Sequence, residues 1–263
     1  MVCLLASCEK QADWQIQEAD ELPLVIRGGI TDENQAHLIT LCYPATSLNG
    51  PEQAVSGALV SITDGTQTWW LTEDDSLKGT YAPASAFAGI TGKYYTLEVR
   101  VGEKIFRATD YMPANSWFSP LKYVKTNNGM YQVSWVASTY HPTTPAMFEI
   151  LIDWSGVPGY EALSEDECRA KLYYFTLTSI DVSELFKPDF ERVQFPSGTT
   201  ITERRYSLSA AHEAFLRSML IETSWNGGFF DAQAANLQGN LSSGATGFFY
   251  ASSVYSITLN VVP

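Results

Sequence analysis

The run from Val55 to Met112 limits the fold of this chain more tightly than any other stretch. Ala58, Val60 and Ile62 alternate with Leu59, Ser61 and Thr63, and Asp64-Gly65 then supplies a two-residue turn whose twist suits a hairpin. Thr66 to Leu71 reads as the returning strand, followed by the acidic loop Glu73-Asp74-Asp75 and the turn signals around Gly79 and Gly89 to Gly92. Tyr95, Leu97, Val99 and Val101 then share one strand face against Thr96, Glu98 and Arg100. Gly102-Glu103 turns into Lys104 to Asp110, and Met112-Pro113 closes the unit. Period-two alternation buries one strand face and wets the other, and short strands at this turn density stack as an antiparallel sandwich.

The flanking segments extend this pattern. Leu24 to Ile30 reads as a first strand whose Gly28-Gly29 pair marks a bulge or a close backbone approach, and His37 to Tyr43 reads as a second. A second β unit begins at Ser119, where Leu121 to Thr126 and Met130 to Ser138 flank the hairpin signal Asn127-Asn128-Gly129, and Met147 to Trp154 follows as an apolar strand. Ser164-Glu165-Asp166-Glu167 and Asp181-Val182-Ser183-Glu184 are capping boxes that predict short helices. Ser209 caps a longer helix whose Phe215, Leu216, Met219 and Leu220 stripe should pack on the second sheet. The Gly/Asn-rich stretch Asn226 to Thr246 precedes a final strand, Ser253 to Val261. The expectation is a mainly β protein of two antiparallel β-sandwich domains. Residues 24–113 form the first, which resembles transthyretin-like and Ig-like modules. Residues 114–263 form the second, which resembles a fibronectin type III sandwich with short helical insertions.

Leu5-Ala6-Ser7-Cys8 has the form of a lipobox, in which a cysteine thiol takes a diacylglyceryl group and the chain is cut before it. On this reading residues 1–7 are a truncated lipoprotein signal, Cys8 carries the lipid and 8–23 are a lipidated tether. Several acyl chains at about 0.8 kcal/mol per buried CH₂ hold such a protein to a bilayer. No run reaches the roughly 20 apolar residues of a membrane span, so attachment is expected through the lipid. A net charge of −13 with only 16 basic residues excludes a phosphate backbone as partner and disfavours anionic lipid surfaces. Cys42 and Cys168 remain once Cys3 and Cys8 are set aside, and an exported pair can oxidise. Nothing in the pattern forces them together, so two buried free thiols are expected.

The order of short motifs carries a resemblance. Leu24-Val25-Ile26-x-Gly-x-Ile30-Thr31-Asp32 comes first, then Val55-x-Gly57-Ala58-x-Val60-x-Ile62-x-Asp64 and Gly79-x-Tyr81. Gly92-x-x-Tyr95-x-Leu97, Ala108-Thr109-x-x-Met112-Pro113 and Asn236-Leu237 … Gly247-Phe248-Phe249-x-Ala251-Ser252-Ser253-Val254 complete the series. Together they resemble the Bacteroidota lipoprotein family of domain of unknown function 4249. The resemblance implies an outer-membrane, lipid-anchored and cell-surface-facing protein, often encoded beside a TonB-dependent transporter, and it supplies no catalytic residues. Asp75-Ser76-Leu77 is similar to the O-glycosylation signal of exported proteins of that phylum, which makes Ser76 a candidate modification site.

Patterns for bond-making chemistry fail one by one. No Gly-x-Ser-x-Gly elbow is present. His212-Glu213 opens like a zinc-protease helix, yet Leu216 occupies the position of the second ligand, and His212 reads as a helix-surface or core-edge residue. Gly89 to Lys93 ends like a phosphate loop but lacks its first glycine and its Ser/Thr. Glu73-Asp74-Asp75 lacks the twelfth-position Glu of a calcium loop. No cofactor or metal is expected. Aromatic doublets recur instead, at Trp69-Trp70, Tyr94-Tyr95, Phe229-Phe230 and Phe248-Phe249-Tyr250. Alternation turns one ring of each strand doublet away from its own core, to cover a seam, cap an edge or meet a partner. Trp69, Trp70, Phe229 and Phe230 are the candidate partner contacts. The expected function is a non-enzymatic accessory to a TonB-dependent outer-membrane barrel in nutrient uptake. A stand-alone adhesin or glycan-binding lipoprotein is the alternative, and a hydrolase with an unrecognised carboxylate site is a third reading.

Overall fold

The computed structural model describes residues 22–47, 50–179, 193–223, 237, 239–242 and 244–262. The alternating run forms β4 (Leu59–Thr63), β5 (Thr68–Glu73), β6 (Thr80–Pro83), β7 (Tyr94–Val101) and β8 (Lys104–Tyr111). The β4–β5 turn is held by Asp64, whose Oδ1 accepts the N–H groups of Thr66 and Gln67 at 2.9 and 2.8 Å. Lys93 Nζ donates to its Oδ2 at 2.6 Å, and these bonds hold the carboxyl far below the usual range. β1 (Leu24–Thr31), β2 (Ile39–Tyr43), the short β3 (Gln53–Ala54) and β14 (Ala245–Ser252) complete this sheet in the order β14-β1-β2-β6-β5-β4-β7-β8, with β3 on β2. The segment at residues 240–242 laces its two ends together. Ser242 N donates to Arg107 O at 2.9 Å, and the Asn240 amide exchanges two bonds with Phe249 while reaching Thr109 O. Asp110 Oδ2 also accepts Ala251 N–H at 2.9 Å. Ile26, Leu41, Val60, Leu97, Phe106 and Phe249 fill the interior this enclosure creates.

The second unit is a four-stranded antiparallel sheet, β12-β11-β13-β15, made of β11 (Ala146–Asp153), β12 (Arg169–Thr176), β13 (Thr200–Ser207) and β15 (Val254–Asn260). Its inner face, with Phe148, Ile150, Ile152 and Ile201, packs on the hairpin of β9 (Lys122–Lys125) and β10 (Tyr131–Trp135) through Tyr131 and Val133. Helix α1 (Ala210–Thr223) lies on the other face, where Leu216 meets Leu177 and Leu208 beside Met147 and Phe175. Ser209 caps it, with His212 N donating to Ser209 Oγ at 3.0 Å. The Ser164–Glu167 box forms only in part: Ser164 N and Oγ both donate to the Glu167 carboxylate, and no side chain caps the single 3₁₀ turn Asp166–Cys168. The second capping box, at 181–184, lies outside the described residues.

The sequence places Ala245–Ser252 in the second unit, whereas the structure pairs it with β1, in parallel and in unbroken register from Leu24↔Ala245 to Thr31↔Ser252. Two glycines permit this pairing. A Cβ on Gly247, at φ +109°, would stand 2.1 Å from Ile26 O, and one on Gly29 would stand 2.3 Å from Tyr250 O. After Ser252 only Ser253 intervenes before β15 begins in the other sheet. Ser253 Oγ donates to Pro113 O at 2.8 Å, Asn115 Nδ2 donates to Ser253 O, and Val254 N donates to Asp32 Oδ1 at 2.7 Å. The crossing is thereby tied to the linker that leaves β8 and to the loop that follows β1. β1 and β14 start at one end of the first sheet and run side by side to this junction at the other.

Candidate functional site: a charged junction and an exposed aromatic face

Alternation along β11, β12 and β13 sends Glu149, Lys171, Tyr173, Arg204 and Tyr206 to the outer face of the second sheet, close to the crossing. Glu149 is buried and acts as their hub. Lys171 Nζ lies 3.1 Å from its Oε2, Arg204 Nη1 donates to Oε1 at 3.2 Å, and Tyr173 donates to Oε2 at 3.3 Å. Arg204 also pairs with Glu33 on the loop after β1, so one guanidinium joins the two units. Its plane lies 5.2 Å from the Tyr206 ring. Burial and then the Glu149 charge push the Tyr206 phenol far above its usual range, and burial does the same to Tyr250. The bond to Glu149 raises the Lys171 ammonium. Each charge is met by an opposite one, the condition under which buried ions are tolerated.

Next to this hub, β14 turns Phe248 and Tyr250 away from the first core, while Phe249 and Ala251 point into it. His212 of α1 slides between the two outward rings, stacked on Phe248 at 4.9 Å and on Tyr250 at 5.3 Å, and Phe215 stacks on Phe248 at 4.9 Å. His212 is buried rather than on the helix surface, because β14 arrives to cover that helix face. Desolvation drives its pKa down to about 4, and Nδ1 has no hydrogen-bond partner among the described residues. This aromatic triplet therefore covers the seam between the units.

The other doublets divide as alternation requires. Trp69 turns inward and stacks on Phe87 at 4.2 Å, and Tyr95 is buried with its hydroxyl accepting Ile90 N–H at 2.6 Å. Trp70 and Tyr94 face outward, 64% and 66% exposed, with Tyr111 5.1 Å from Tyr94. The outward face they share is ordered in ranks across β5, β4, β7 and β8. Trp70–Ser61–Glu98–Arg107 is followed by Thr68–Thr63–Thr96–Thr109 and then by Tyr94–Tyr111. With strands about 4.8 Å apart and about 3.4 Å per residue along them, Trp70 and Tyr94 stand about 16 Å apart. Glu98 is pinned between Arg100 and Arg107 at 2.8 and 2.7 Å, which keeps this face nearly neutral.

The remaining candidates scatter. Ser76 is exposed and donates to Asp74 Oδ1 at 2.6 Å in a tight loop. Cys42 and Cys168 are free and buried, and desolvation raises both thiols. His37 Nε2 donates to Phe87 O at 2.9 Å, and His141 Nδ1 accepts Thr144 N–H at 3.1 Å within its own loop. Among the described residues no group of three or more His, Cys, Asp or Glu could hold a metal ion. Cys8, Phe229 and Phe230 lie outside the described residues. Sequence reasoning missed the Glu149–Arg204–Glu33 hub. Its one signal was a glutamate inside the otherwise apolar run Met147 to Ile152.

The architecture is that of a mainly β protein built from packed sheets. The chain belongs to the family described as Domain of unknown function (DUF4249), whose model matches residues 9–258. Among solved structures it is similar to the chicken CNTN1 FN1–FN3 domains, at 11% identity and a TM-score of 0.28, over 72% of this chain. The match spans 62% of that structure, less than two thirds of its length. No curated protein matches the chain.

Proposed function

We propose that this protein is a lipid-anchored component of the bacterial outer membrane, held through Cys8. It lends a rigid face to a TonB-dependent barrel during nutrient uptake and makes or breaks no bonds itself. The observation that carries the reading is the outward face of β5, β4, β7 and β8. Trp70 and Tyr94 stand on a stiff sheet at a spacing of about 16 Å, which suits the footprint of a protein better than that of a single sugar ring. Large exposed rings on an ordered, nearly neutral surface are the anchors protein interfaces favour. The charged hub at the junction supports the same role, because Arg204 ties the second unit to the loop after β1.

Two measurements test this. Metabolic palmitate labelling should be lost in Cys8→Ala, and labelling that persists refutes the anchor. The tagged protein should co-purify with a barrel identified by mass spectrometry as TonB-dependent, and Trp70→Ala with Tyr94→Ala should reduce recovery about tenfold or more. Unchanged recovery removes this face from the argument. Trp70-dependent binding to a glycan array, without a barrel, would replace it with the glycan-binding reading.

A further inference from the structure

At the end of the first sheet opposite the junction, the starts of β1, β8 and β14 and the end of β2 surround a groove of about 420 Å³. Leu22, Pro23, Tyr43, Lys104, Ile105 and Phe106 line it. We infer that this end seats on the bilayer that holds the anchor, with the groove receiving an acyl segment of a zwitterionic phospholipid. The inference rests on the proposed lipidation of Cys8.

Three observations converge on that occupant. The first is where the chain leaves: the groove begins at Leu22, and the 13 residues between it and Cys8 can span at most about 45 Å. The second is orientation. β1 and β14 run eight residues from the groove to the junction, about 26 Å, so the second unit is carried at the far end. The third is chemistry. Leu22 and Ile105 are 39% and 43% exposed at the rim, and Leu59 is 61% exposed two strands from Ile105, across Arg100. Scattered exposed apolar residues need no explanation, but three at one end beside a groove lined in part by Pro23, Ile105 and Phe106 form a patch. The net charge of −13 opposes an anionic surface, which favours a zwitterionic one.

The test uses the full chain with Cys3→Ser, coupled through Cys8 to a maleimide lipid in phosphatidylcholine vesicles, since Cys42 and Cys168 are buried. The vesicles contain a phosphatidylcholine with a diazirine on its acyl chain, and crosslinked peptides are mapped by mass spectrometry. Peptides holding Leu22 and Ile105 should be labelled at least about fivefold more than the one holding Asn127 and Gly129. Ile105→Asp or Leu59→Asp should remove about fivefold of that labelling, as expected for exposed apolar side chains withdrawn from lipid, with coupling and melting temperature unchanged. Equal labelling of both regions, or no effect of either substitution, overturns the seat. Because the coupling is chemical, absence of palmitate on the native protein would refute the anchor reading without altering this result.

Discussion

Glu203→Gln should stabilise the protein above neutral pH and leave it nearly unchanged in acid. Glu203 lies on the inner face of β13 with no accessible surface. Its Oε2 accepts Leu121 N–H at 2.8 Å, and Oε1 finds no partner among the described residues. Arg205, two residues along on the same face, is turned to Asn115 and Thr144 O instead. Desolvation therefore raises the Glu203 carboxyl from 4.5 to about 7. A carboxyl raised on folding is bound to its proton more tightly in the folded state. Its contribution is fully favourable below the unfolded pKa and is lost as pH climbs through the folded value. The loss amounts to about 3 kcal/mol once both states are ionised. The Glu203 contribution to wild-type stability should be flat below about pH 4.5, fall between there and pH 7, and level off above. The amide keeps the acceptor for Leu121 and cannot ionise, so the variant escapes that fall. Urea unfolding at pH 4.5 and pH 8 should show midpoints that agree in acid and separate by about 2–3 kcal/mol in base, at unchanged slope. A variant less stable than wild type at pH 8 would mean that Arg205 swings to pair with the carboxylate. The desolvation argument would then be wrong.

Three other outcomes are expected. His212→Phe should remove acid sensitivity: a histidine held at about 4 costs stability as pH falls from 6.5 toward that value, by about 3 kcal/mol, and thermal melts at pH 7 and pH 4 would show the difference shrink. Arg204→Met should cost about 3 kcal/mol in urea unfolding, because among the described residues it leaves buried Glu149 with Lys171 alone as a cation and takes the Arg204 partner from Glu33. Gly247→Ala should destabilise by about 3 kcal/mol or prevent folding, since its Cβ would overlap Ile26 O at a backbone angle alanine avoids; a melting temperature within about two degrees of wild type would contradict the parallel pairing.

The strands with strict alternation were legible in sequence because each needs only one wet and one dry face. Val60, Ile62, Leu97 and Val99 are buried where the pattern puts them, and the Asp64-Gly65 turn and the Ser209 cap form as local chemistry dictates. What was not legible depended on partners distant in the chain. Phe248-Phe249-Tyr250 reads as a strand, but nothing local states that it joins β1, 221 residues earlier in register. The burial of His212 follows from that same pairing, so it was hidden too. Glu149 and Arg204 become a site only because Glu33, from the other unit, is brought to them. Trp70 was found as exposed because alternation against Trp69 and Leu71 is enough to turn it outward, whereas the inward stacking of Trp69 on Phe87 is a property of the closed core.

The single residue between β14 and β15 has a consequence for biogenesis. Both sheets wait for the same late stretch of chain: the first lacks its outermost parallel strand and the second lacks an edge until Ala245–Asn260 has been made. A nascent polypeptide missing its last segment therefore carries two unfinished β edges at once, the state most prone to pair with a neighbour. Completion is a single event for the whole body, so truncated products should behave as substrates for proteases rather than as half-working molecules.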